Sequence, residues 1–306
     1  MKKNPSLIIS AGKGCFTCCR GCYQFFGKKQ LETIDLLNFV NKYKEKFNPD
    51  HVTLAGGDPM TRTDIVYLID EINKMNLNIH IDTVGKNFIQ DSSIAFYDFG
   101  IAKYIDPRIL KDKITKIGIP LDGYNDQQVN HFRENITVSE IISIVKKLNS
   151  LDFNICINTV VNKKNIFNLI DIYYIIKQFP NVKQWQLFQY TPIGDLGYKN
   201  RQLYEVDDNE FKKAIDKLHN SINNCNIEIQ AKSNSDRKFN YILVNSDGYV
   251  WYPKYNFDNE LFLDSDKSSD KIIIGTIFES DILNKINLHL ENINKNINID
   301  EEIILN

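Results

Sequence analysis

The sequence predicts an α/β fold in which parallel strands alternate with helices. Six apolar strand segments are each followed by a helical segment, and this alternation runs through residues 7–220. Strict alternation is typical of a parallel sheet covered by helices. Six units fit an incomplete (βα) barrel, and a flat doubly wound sheet would give the same pattern. The 306 residues are enough for one large α/β domain with a modest appendix.

Each strand is predicted from a short apolar run. The runs cover Leu7–Ser10, His51–Ala55, Asn78–Thr83, Lys116–Leu121, Phe153–Val161 and Val182–Tyr190. Each helix is predicted from apolar residues three and four positions apart, which share one helical face. The helical segments cover Leu31–Lys46, Thr61–Met75, Thr137–Asn149, Asn165–Gln178 and Asp208–Asn220, with a further short helix at Ser92–Phe99.

The last part of the chain has a different pattern. Short strands are predicted at Asn226–Ala231, Phe239–Val244, Tyr249–Tyr252 and Ile272–Ile274. Asn245–Gly248 has the composition of a hairpin turn between two of them. We therefore predict a core of residues 1–222 and a small C-terminal β-containing extension, residues 223–306, that covers one mouth of the barrel.

The composition argues against nucleic-acid and membrane partners. A formal net charge of −2 gives no basic field for nucleic acid. No apolar run approaches the roughly 20 residues of a membrane-spanning helix, and the N-terminal run is too short for a secretory signal. We expect a cytoplasmic protein, in which cysteines stay reduced.

The cysteines are concentrated directly after the first predicted strand. Four of the six lie in one stretch, Cys15–Cys22. Three thiolates on one loop can hold three irons of a four-iron cluster and leave the fourth iron open to a ligand. The spacing allows Cys15, Cys19 and Cys22 or Cys15, Cys18 and Cys22. The alternatives are disulfides or a zinc site, but zinc usually needs two separated ligand pairs, and Cys156 and Cys225 do not form a second pair.

A second motif, Gly56-Gly57-Asp58-Pro59, follows the second predicted strand. Ligands of parallel α/β folds bind at this carboxyl end of the strands. Two glycines let the ammonium group of a ligand approach bare backbone carbonyls. The alternative is a plain turn.

Together the two motifs resemble the radical S-adenosylmethionine (SAM) superfamily. The spacing C-x3-C-x2-C after a first strand and the Gly-Gly-Asp-Pro stretch after the second carry the resemblance. It implies a partial (βα)6 TIM-like barrel that uses a [4Fe-4S] cluster and SAM. It makes Cys15, Cys19 and Cys22 the cluster ligands, so that Cys18 does not bind the cluster. It also places the SAM amino group at Gly56–Pro59. Asp58 replaces the commoner Glu, and Gly21 stands where many members have an aromatic residue.

Three further residues are candidates for SAM binding. Asp122 closes the fourth strand in a stretch that resembles the Ser-Leu-Asp-Gly strand end of many members, although it could equally cap a turn. Asn158 is a polar residue in an apolar strand and needs a partner, for which the SAM ribose is one candidate. Phe188 in the sixth strand offers a ring face to the adenine. His131 and Arg133 are expected to be structural.

The resemblance implies an enzyme with a one-electron reductant such as flavodoxin or ferredoxin. Members cleave SAM reductively to a 5′-deoxyadenosyl radical, which abstracts hydrogen from the substrate. The protein binds, orients and excludes water, and the cofactor carries the chemistry. A binding module that holds iron–sulfur or zinc without catalysis is the non-enzymatic alternative.

Two substrate classes are open. Patches in Cys156–Asn165, Trp185–Gln189, Asp207–Phe211 and Ser233–Tyr252 resemble viperin-type members, which dehydrate a nucleoside triphosphate. Phosphates would need basic groups at the barrel mouth, and the candidates are Lys199, Arg201 and Arg237, with Lys232 and Lys254.

The other class is a ribosomally made peptide, because Asp247–Val250 is similar to a stretch of peptide-modifying members. In that case Cys156 or Cys225 could return a hydrogen atom to the peptide.

Overall fold

The computed structural model describes residues 5–24, 29–222, 226–235, 241–253 and 271–292. One ten-stranded sheet forms its centre. Its strands are β1 Ser6–Gly12, β2 His51–Gly56, β3 Asn78–Asp82, β4 Lys116–Pro120, β5 Ile155–Val161, β6 Val182–Gln189, β7 Glu228–Lys232, β8 Tyr241–Val244, β9 Tyr249–Pro253 and β10 Lys271–Thr276.

The strand order identifies a partial barrel. The order across the sheet is β7-β6-β5-β4-β3-β2-β1-β8-β9-β10. All neighbours from β7 to β8 are parallel, and β8, β9 and β10 pair antiparallel. A doubly wound sheet reverses its order at a switch point, whereas β1 to β6 follow the chain without reversal. Right-handed crossovers that all run one way place every helix on one face, so the predicted barrel is confirmed.

The helices start with local signals in the sequence. They are α1 Thr33–Phe47, α2 Ile65–Lys74, α3 Asp126–Phe132, α4 Val138–Ser150, α5 Leu169–Ile176, α6 Gly194–Lys199, α7 Arg201–Tyr204 and α8 Asp208–Ser221, and residues 282–292 form one more. Thr137 with Glu140 and Asp207 with Glu210 form capping boxes at α4 and α8. These boxes satisfy backbone N–H groups that the first helical turn leaves unpaired.

The apolar core lies between the helices and the outer face of the sheet. Ile79 and Ile81 of β3 and Ile155 and Ile157 of β5 belong to it and are almost fully buried. Trp185 of β6 is also fully buried there. Because strand side chains alternate between faces, the residues between these positions face the inside of the barrel.

Most predicted elements are present, and one is wrong. The six core strands lie close to their predicted bounds, and the turn at Asn245–Gly248 joins β8 to β9. The predicted helix at Ser92–Phe99 is instead a strand, Ser92–Ile94, paired antiparallel with Gly100–Ala102. Cys15 pairs with Phe96 beyond this strand, so contacts distant in sequence override a weak local helical pattern.

The strands of the predicted extension join the same sheet as the core. β7 pairs with β6, and β8 pairs with β1. The division at residue 222 and the covering of the mouth stay predictions. Among the described residues, no helix has the length and apolar character needed to cross a membrane.

A buried hydrogen-bond chain joins β6, β5 and the end of β4. The indole N–H of Trp185 donates to the Thr159 hydroxyl over 2.9 Å, and this hydroxyl donates to the Leu121 carbonyl over 2.6 Å. Thr159→Val should lower the free energy of unfolding by about 1–3 kcal/mol, because it leaves buried polar groups without partners. Urea denaturation measures the loss.

Thr53→Val is the matched control, since Thr53 is a largely buried strand residue whose hydroxyl makes no side-chain hydrogen bond among the described residues. Equal stability of the two variants would contradict the prediction.

Candidate active site

The cysteine loop begins where β1 ends and is tied to the barrel at two places. The backbone N–H of Cys15 donates to the Phe96 carbonyl over 3.0 Å, and the Phe96 N–H donates back over 3.1 Å. Further along, Cys18–Cys19 forms a short antiparallel pair with Arg133–Glu134. These backbone contacts hold the loop at the carboxyl ends of the strands.

Cys18 and Cys19 face opposite ways, as consecutive residues of a strand do. The Cys18 Sγ donates to the Ala95 carbonyl over 3.5 Å, so it behaves as a thiol. The Cys19 Sγ lies 3.0 Å from Nη1 of Arg133, a donor that favours a thiolate.

Each of the three predicted ligands has a hydrogen-bond donor beside it. The hydroxyl of Thr17, itself 1% exposed, lies 3.6 Å from both the Cys15 Sγ and the Cys19 Sγ. The backbone N–H of Gln24 donates to the thiol sulfur of Cys22. Thr17 is shared by Cys15 and Cys19, whereas the donor beside Cys18 is the Asn135 amide, 3.7 Å from its Sγ.

Burial raises the pKa of all three thiols. It raises the pKa of Cys22 to about 12, with the neighbouring Cys19 adding to the shift. Burial also raises the pKa of Cys15, and the negative charge of Asp58 adds to this shift. Burial raises the pKa of Cys19 as well, although the positive charge of Arg133 opposes the shift. The metal-free thiols are therefore protonated at neutral pH, and binding iron has to release their protons.

The donor set suits an anionic iron–sulfur group. The side-chain amide nitrogen of Gln24, a residue only 3% exposed, has no hydrogen-bond partner among the described residues. In the described part of the chain, no three His, Cys, Asp or Glu side chains lie together as ligands of one metal ion. A four-iron cluster instead distributes its cysteine ligands over separate irons. One buried and two half-buried cysteines with N–H and O–H donors around them fit such a group.

Gly56 and Gly57 are required by close contact with β1 and with the cysteine loop that follows it. Gly56 has φ of +112°, and a Cβ on it would lie 2.5 Å from the Cα of Ser10. A Cβ on Gly57 would lie 2.3 Å from the Gly14 carbonyl oxygen. The positive φ and the absent side chains let the end of β2 lie directly against the loop after β1.

Asp58 ties the end of β2 to the end of β3. Its fully buried carboxylate accepts hydrogen bonds from the Thr83 hydroxyl at 2.6 Å, the Val84 N–H at 2.7 Å and the Met60 N–H at 3.0 Å. Burial raises its pKa to about 6, and these hydrogen bonds oppose the shift. Pro59 begins the short 3-10 turn that Asp58 caps, a position where its missing N–H costs nothing.

Asp122 and Arg133 form a buried ion pair next to Cys19. The Asp122 carboxylate is wholly buried and accepts from Nε of Arg133 and from the Val160 N–H, each over 2.8 Å. Asp122 and Cys19 raise the pKa of Arg133, although burial alone would lower it. Sequence reasoning treated Arg133 as structural and missed this contact. A signal was present, because a buried Asp122 needs a cation.

Polar side chains line the inner face of the barrel. The amide of Asn158 donates to Asp82 over 2.8 Å, and the Cys156 thiol donates to Asn158 over 3.4 Å. Lys116 and Gln184 continue this network with a 3.1 Å hydrogen bond. The inner wall is the set Asp82, Lys116, Cys156, Asn158, Gln184, Gln186, Glu228 and Gln230. Closed barrels of this type are filled by bulky branched side chains, so the polar wall indicates a binding surface.

Three titratable side chains on this inner face differ in character. The Asp82 side chain is open to solvent on the inner wall. The protein around its carboxylate still removes part of its hydration, which raises the pKa of Asp82. His51 and His80 stack with their ring centres 3.9 Å apart. Burial, with His51 and Lys116, lowers the pKa of His80 to about 3, so this ring is neutral at pH 7.

The predicted aromatic and basic residues lie in two separate places. Lys232 lies 5.1 Å from the ring centre of Phe188 on the inner face. Lys199 is exposed at the end of α6, and Arg201 at the start of α7 lies over the Tyr198 ring, 4.1 Å from its centre. The remaining candidates, Arg237, Lys254 and Cys225, lie outside the described residues.

A partial barrel with a cysteine-rich loop at the carboxyl ends of its strands defines a class of cofactor-dependent enzymes. The family model of the Radical SAM superfamily matches residues 9–166, about half of the chain, and the chain belongs to this superfamily. The protein is therefore an enzyme with a [4Fe-4S] cluster and SAM as its cofactors, as the sequence predicted.

The chain is similar to curated enzymes over part of their length. It is 25% identical to GTP 3′,8-cyclase of Clostridium perfringens over 223 residues, covering 69% of this chain and 64% of that protein. It is 28% identical to 7-carboxy-7-deazaguanine synthase of Aquifex aeolicus over 120 residues, covering 35% of this chain and 52% of that protein. The chain thus spans between half and two thirds of these relatives.

Solved structures share the fold at low identity. Streptococcus suis SuiB bound to precursor peptide SuiA has a TM-score of 0.66 and 14% identity, covering 82% of this chain and 59% of that one. Native anSMEcpe with bound AdoMet (SAM) has a TM-score of 0.57 and 19% identity, covering 89% of this chain and 77% of that one.

Asp58→Ala should reduce both stability and SAM affinity. The substitution leaves the Thr83 hydroxyl and the Val84 N–H buried without their acceptor, at a cost of about 1–3 kcal/mol each. It also frees the backbone of Gly56 and Gly57, where SAM is predicted to bind. Urea denaturation and equilibrium dialysis with SAM measure the two effects.

Glu45→Ala, on the exposed face of α1, is the control and should change neither quantity. If Asp58→Ala bound SAM as tightly as the parent protein, the assignment of this motif would be refuted.

Proposed function

We propose that this radical SAM enzyme holds its [4Fe-4S] cluster with Cys15, Cys19 and Cys22. The observation that carries the proposal is the direction of the side chains. Cys19 shares Thr17 with Cys15 and contacts Arg133, whereas Cys18 turns away to the Ala95 carbonyl. When bound, the cluster and SAM supply the electron-transfer and hydrogen-abstraction chemistry of the family.

The chain's own residues bind and orient the cofactors. Thr17, Gln24 and Arg133 donate to the ligand sulfurs. Asp58 holds the Gly56-Gly57 backbone toward SAM, and Asn158 with Phe188 and the neighbourhood of Asp122 complete the SAM site. Residues 223–306 act as the extension that covers the mouth. The electron comes from a flavodoxin- or ferredoxin-type donor.

The substrate that we propose is a nucleotide or a related polar small molecule. The inner wall offers amides from Asn158, Gln184 and Gln186 that can both donate and accept hydrogen bonds. Lys116 and Lys232 add positive charge on this face. The curated relatives support this class, because one of them is a GTP 3′,8-cyclase. The viperin-type patches of the sequence support it as well.

A peptide substrate is the second candidate. Its support is the fold shared with SuiB, which was solved with a precursor peptide bound. The Cys156 thiol on the inner wall would then be placed to return a hydrogen atom. Asp82, an exposed carboxylate on the same wall, would repel phosphates and favour a cationic or neutral peptide group.

Single replacements of the four clustered cysteines should identify the cluster ligands. Cys15→Ala, Cys19→Ala and Cys22→Ala should each abolish the brown absorbance of anaerobically reconstituted protein, because each removes one iron ligand. Cys18→Ala is the matched control and should keep about four irons. Iron analysis and visible absorbance measure both. Retained absorbance in Cys19→Ala with loss in Cys18→Ala would show that the other triple binds the cluster.

The substrate class is tested by following 5′-deoxyadenosine release from SAM. One nucleoside triphosphate should stimulate release by the reduced, cluster-loaded enzyme. Removing two charge-assisted phosphate contacts, each worth about 1.5–3 kcal/mol, should lower the affinity for that nucleotide by at least about a hundredfold. Lys116→Gln/Lys232→Gln tests the inner wall, and Lys199→Ala/Arg201→Ala tests the mouth, so the two variants locate the phosphate site.

If no nucleotide stimulated release, the nucleotide class would be excluded and the peptide class would remain.

A further inference from the structure

The guanidinium group of Arg133 lies between a thiol and a carboxylate. Its Nη1 is 3.0 Å from the Cys19 Sγ, and its Nε is 2.8 Å from Oδ2 of Asp122. The Arg133 side chain is 13% exposed and the Asp122 side chain 0%. A charged donor with so little access to water interacts more strongly with its neighbours than a surface arginine does.

The backbone and the carboxylate fix where this donor points. Arg133 is the register partner of Cys19 in the short antiparallel pair, and the Arg20 N–H donates to the Phe132 carbonyl over 2.9 Å. The other oxygen of Asp122 accepts from the Val160 N–H, so the carboxylate cannot turn away. The contact between Arg133 and Cys19 is therefore held by the fold itself.

We propose that Arg133 raises the midpoint potential of the cluster by donating a hydrogen bond to the Cys19 sulfur. The proposal rests on Cys19 being a cluster ligand, as proposed above. Hydrogen bonds to ligand sulfurs and nearby charge are among the quantities that set iron–sulfur potentials. Arg133 supplies both, and Asp122 acts as the positioning residue that aims it.

The direction of the shift follows from the charge change on reduction. The cluster gains one electron from the low-potential donor, which is oxidised by one electron, and no bond is formed or broken. The reduced cluster has one more negative charge than the oxidised cluster. A fixed cation and a sulfur hydrogen bond therefore stabilise the reduced form more than the oxidised form.

The experiment is a redox titration of the reconstituted protein without SAM, followed by electron paramagnetic resonance. Arg133→Gln removes the charge while keeping a side chain of similar polarity. At a fixed potential, the ratio of reduced to oxidised cluster should fall about tenfold, which corresponds to about 59 mV for a one-electron couple. Arg133→Lys keeps the charge, so the ratio of reduced to oxidised cluster should fall less than in Arg133→Gln. Asp122→Asn removes a negative charge near Cys19 while its amide oxygen can still accept from Nε of Arg133, so it should raise the ratio.

Arg20→Gln is the matched control. Arg20 lies in the same loop and pairs with Glu134, but its side chain is 54% exposed. Water screens such a charge, so the midpoint potential should stay that of the parent protein.

The outcomes separate this inference from the proposed function. If Cys19→Ala retained all its iron, Cys19 would not be a ligand and the proposed site would fail. If Cys19 were required but Arg133→Gln and Arg133→Lys kept the parent potential, the inference alone would be overturned. An unchanged potential together with weakened SAM binding would assign Arg133 to SAM instead. If Arg133→Gln held no iron, the midpoint potentials of Arg133→Lys and Asp122→Asn would test the inference in its place.

Discussion

A buried carboxylate needs hydrogen-bond donors, and Asp122 obtains them from two distant parts of the chain. Arg133 reaches it from the end of α3, and the backbone N–H of Val160 reaches it from β5. The backbone carbonyl of Asp122 accepts a hydrogen bond from the Asn165 amide over 2.9 Å. The end of β4 is thereby bound to β5, to the turn after β5 and, through Arg133, to the cysteine loop. Removing one partner of such a pair leaves an uncompensated buried charge, which is strongly destabilising.

Asp58 has the same role two strands further along the sheet. Its carboxylate joins β2 to the end of β3, so two buried carboxylates hold the carboxyl ends of adjacent strands. This edge of the barrel carries the cysteine loop and the Gly-Gly motif. Its rigidity comes from hydrogen bonds within the chain, and the groups that would contact the cofactors are fixed before these bind. Such preorganisation is what cofactor chemistry requires of a protein.

Local patterns in the sequence predicted the barrel and its family well. The strands and helices have strong periodicity, and the two motifs each lie on one short segment. The helix predicted at Ser92–Phe99 was wrong because pairing with Cys15 and with Gly100–Ala102 decides that segment. Arg133 was missed for a related reason, since its partners Asp122 and Cys19 are brought to it only by the fold.

The inner wall was equally hard to predict, because its polar residues are interspersed among apolar ones on separate strands. Asn158 alone stood out as a polar residue in an apolar strand. Its partner Cys156 shares its face of the same strand, but its partner Asp82 lies two strands away and becomes apparent only from the sheet register. Contacts that depend on which strands are neighbours cannot be derived from one segment at a time.

The contact between Gly57 and Gly14 means that the two cofactor motifs share one surface. A side chain at position 57 would collide with the backbone of the cysteine loop, not only with a ligand. Replacement of Gly57 would therefore disturb the loop of the proposed cluster ligands as well as the proposed SAM site. The two halves of the site are under a common steric constraint, and neither can change its backbone path in evolution without the other.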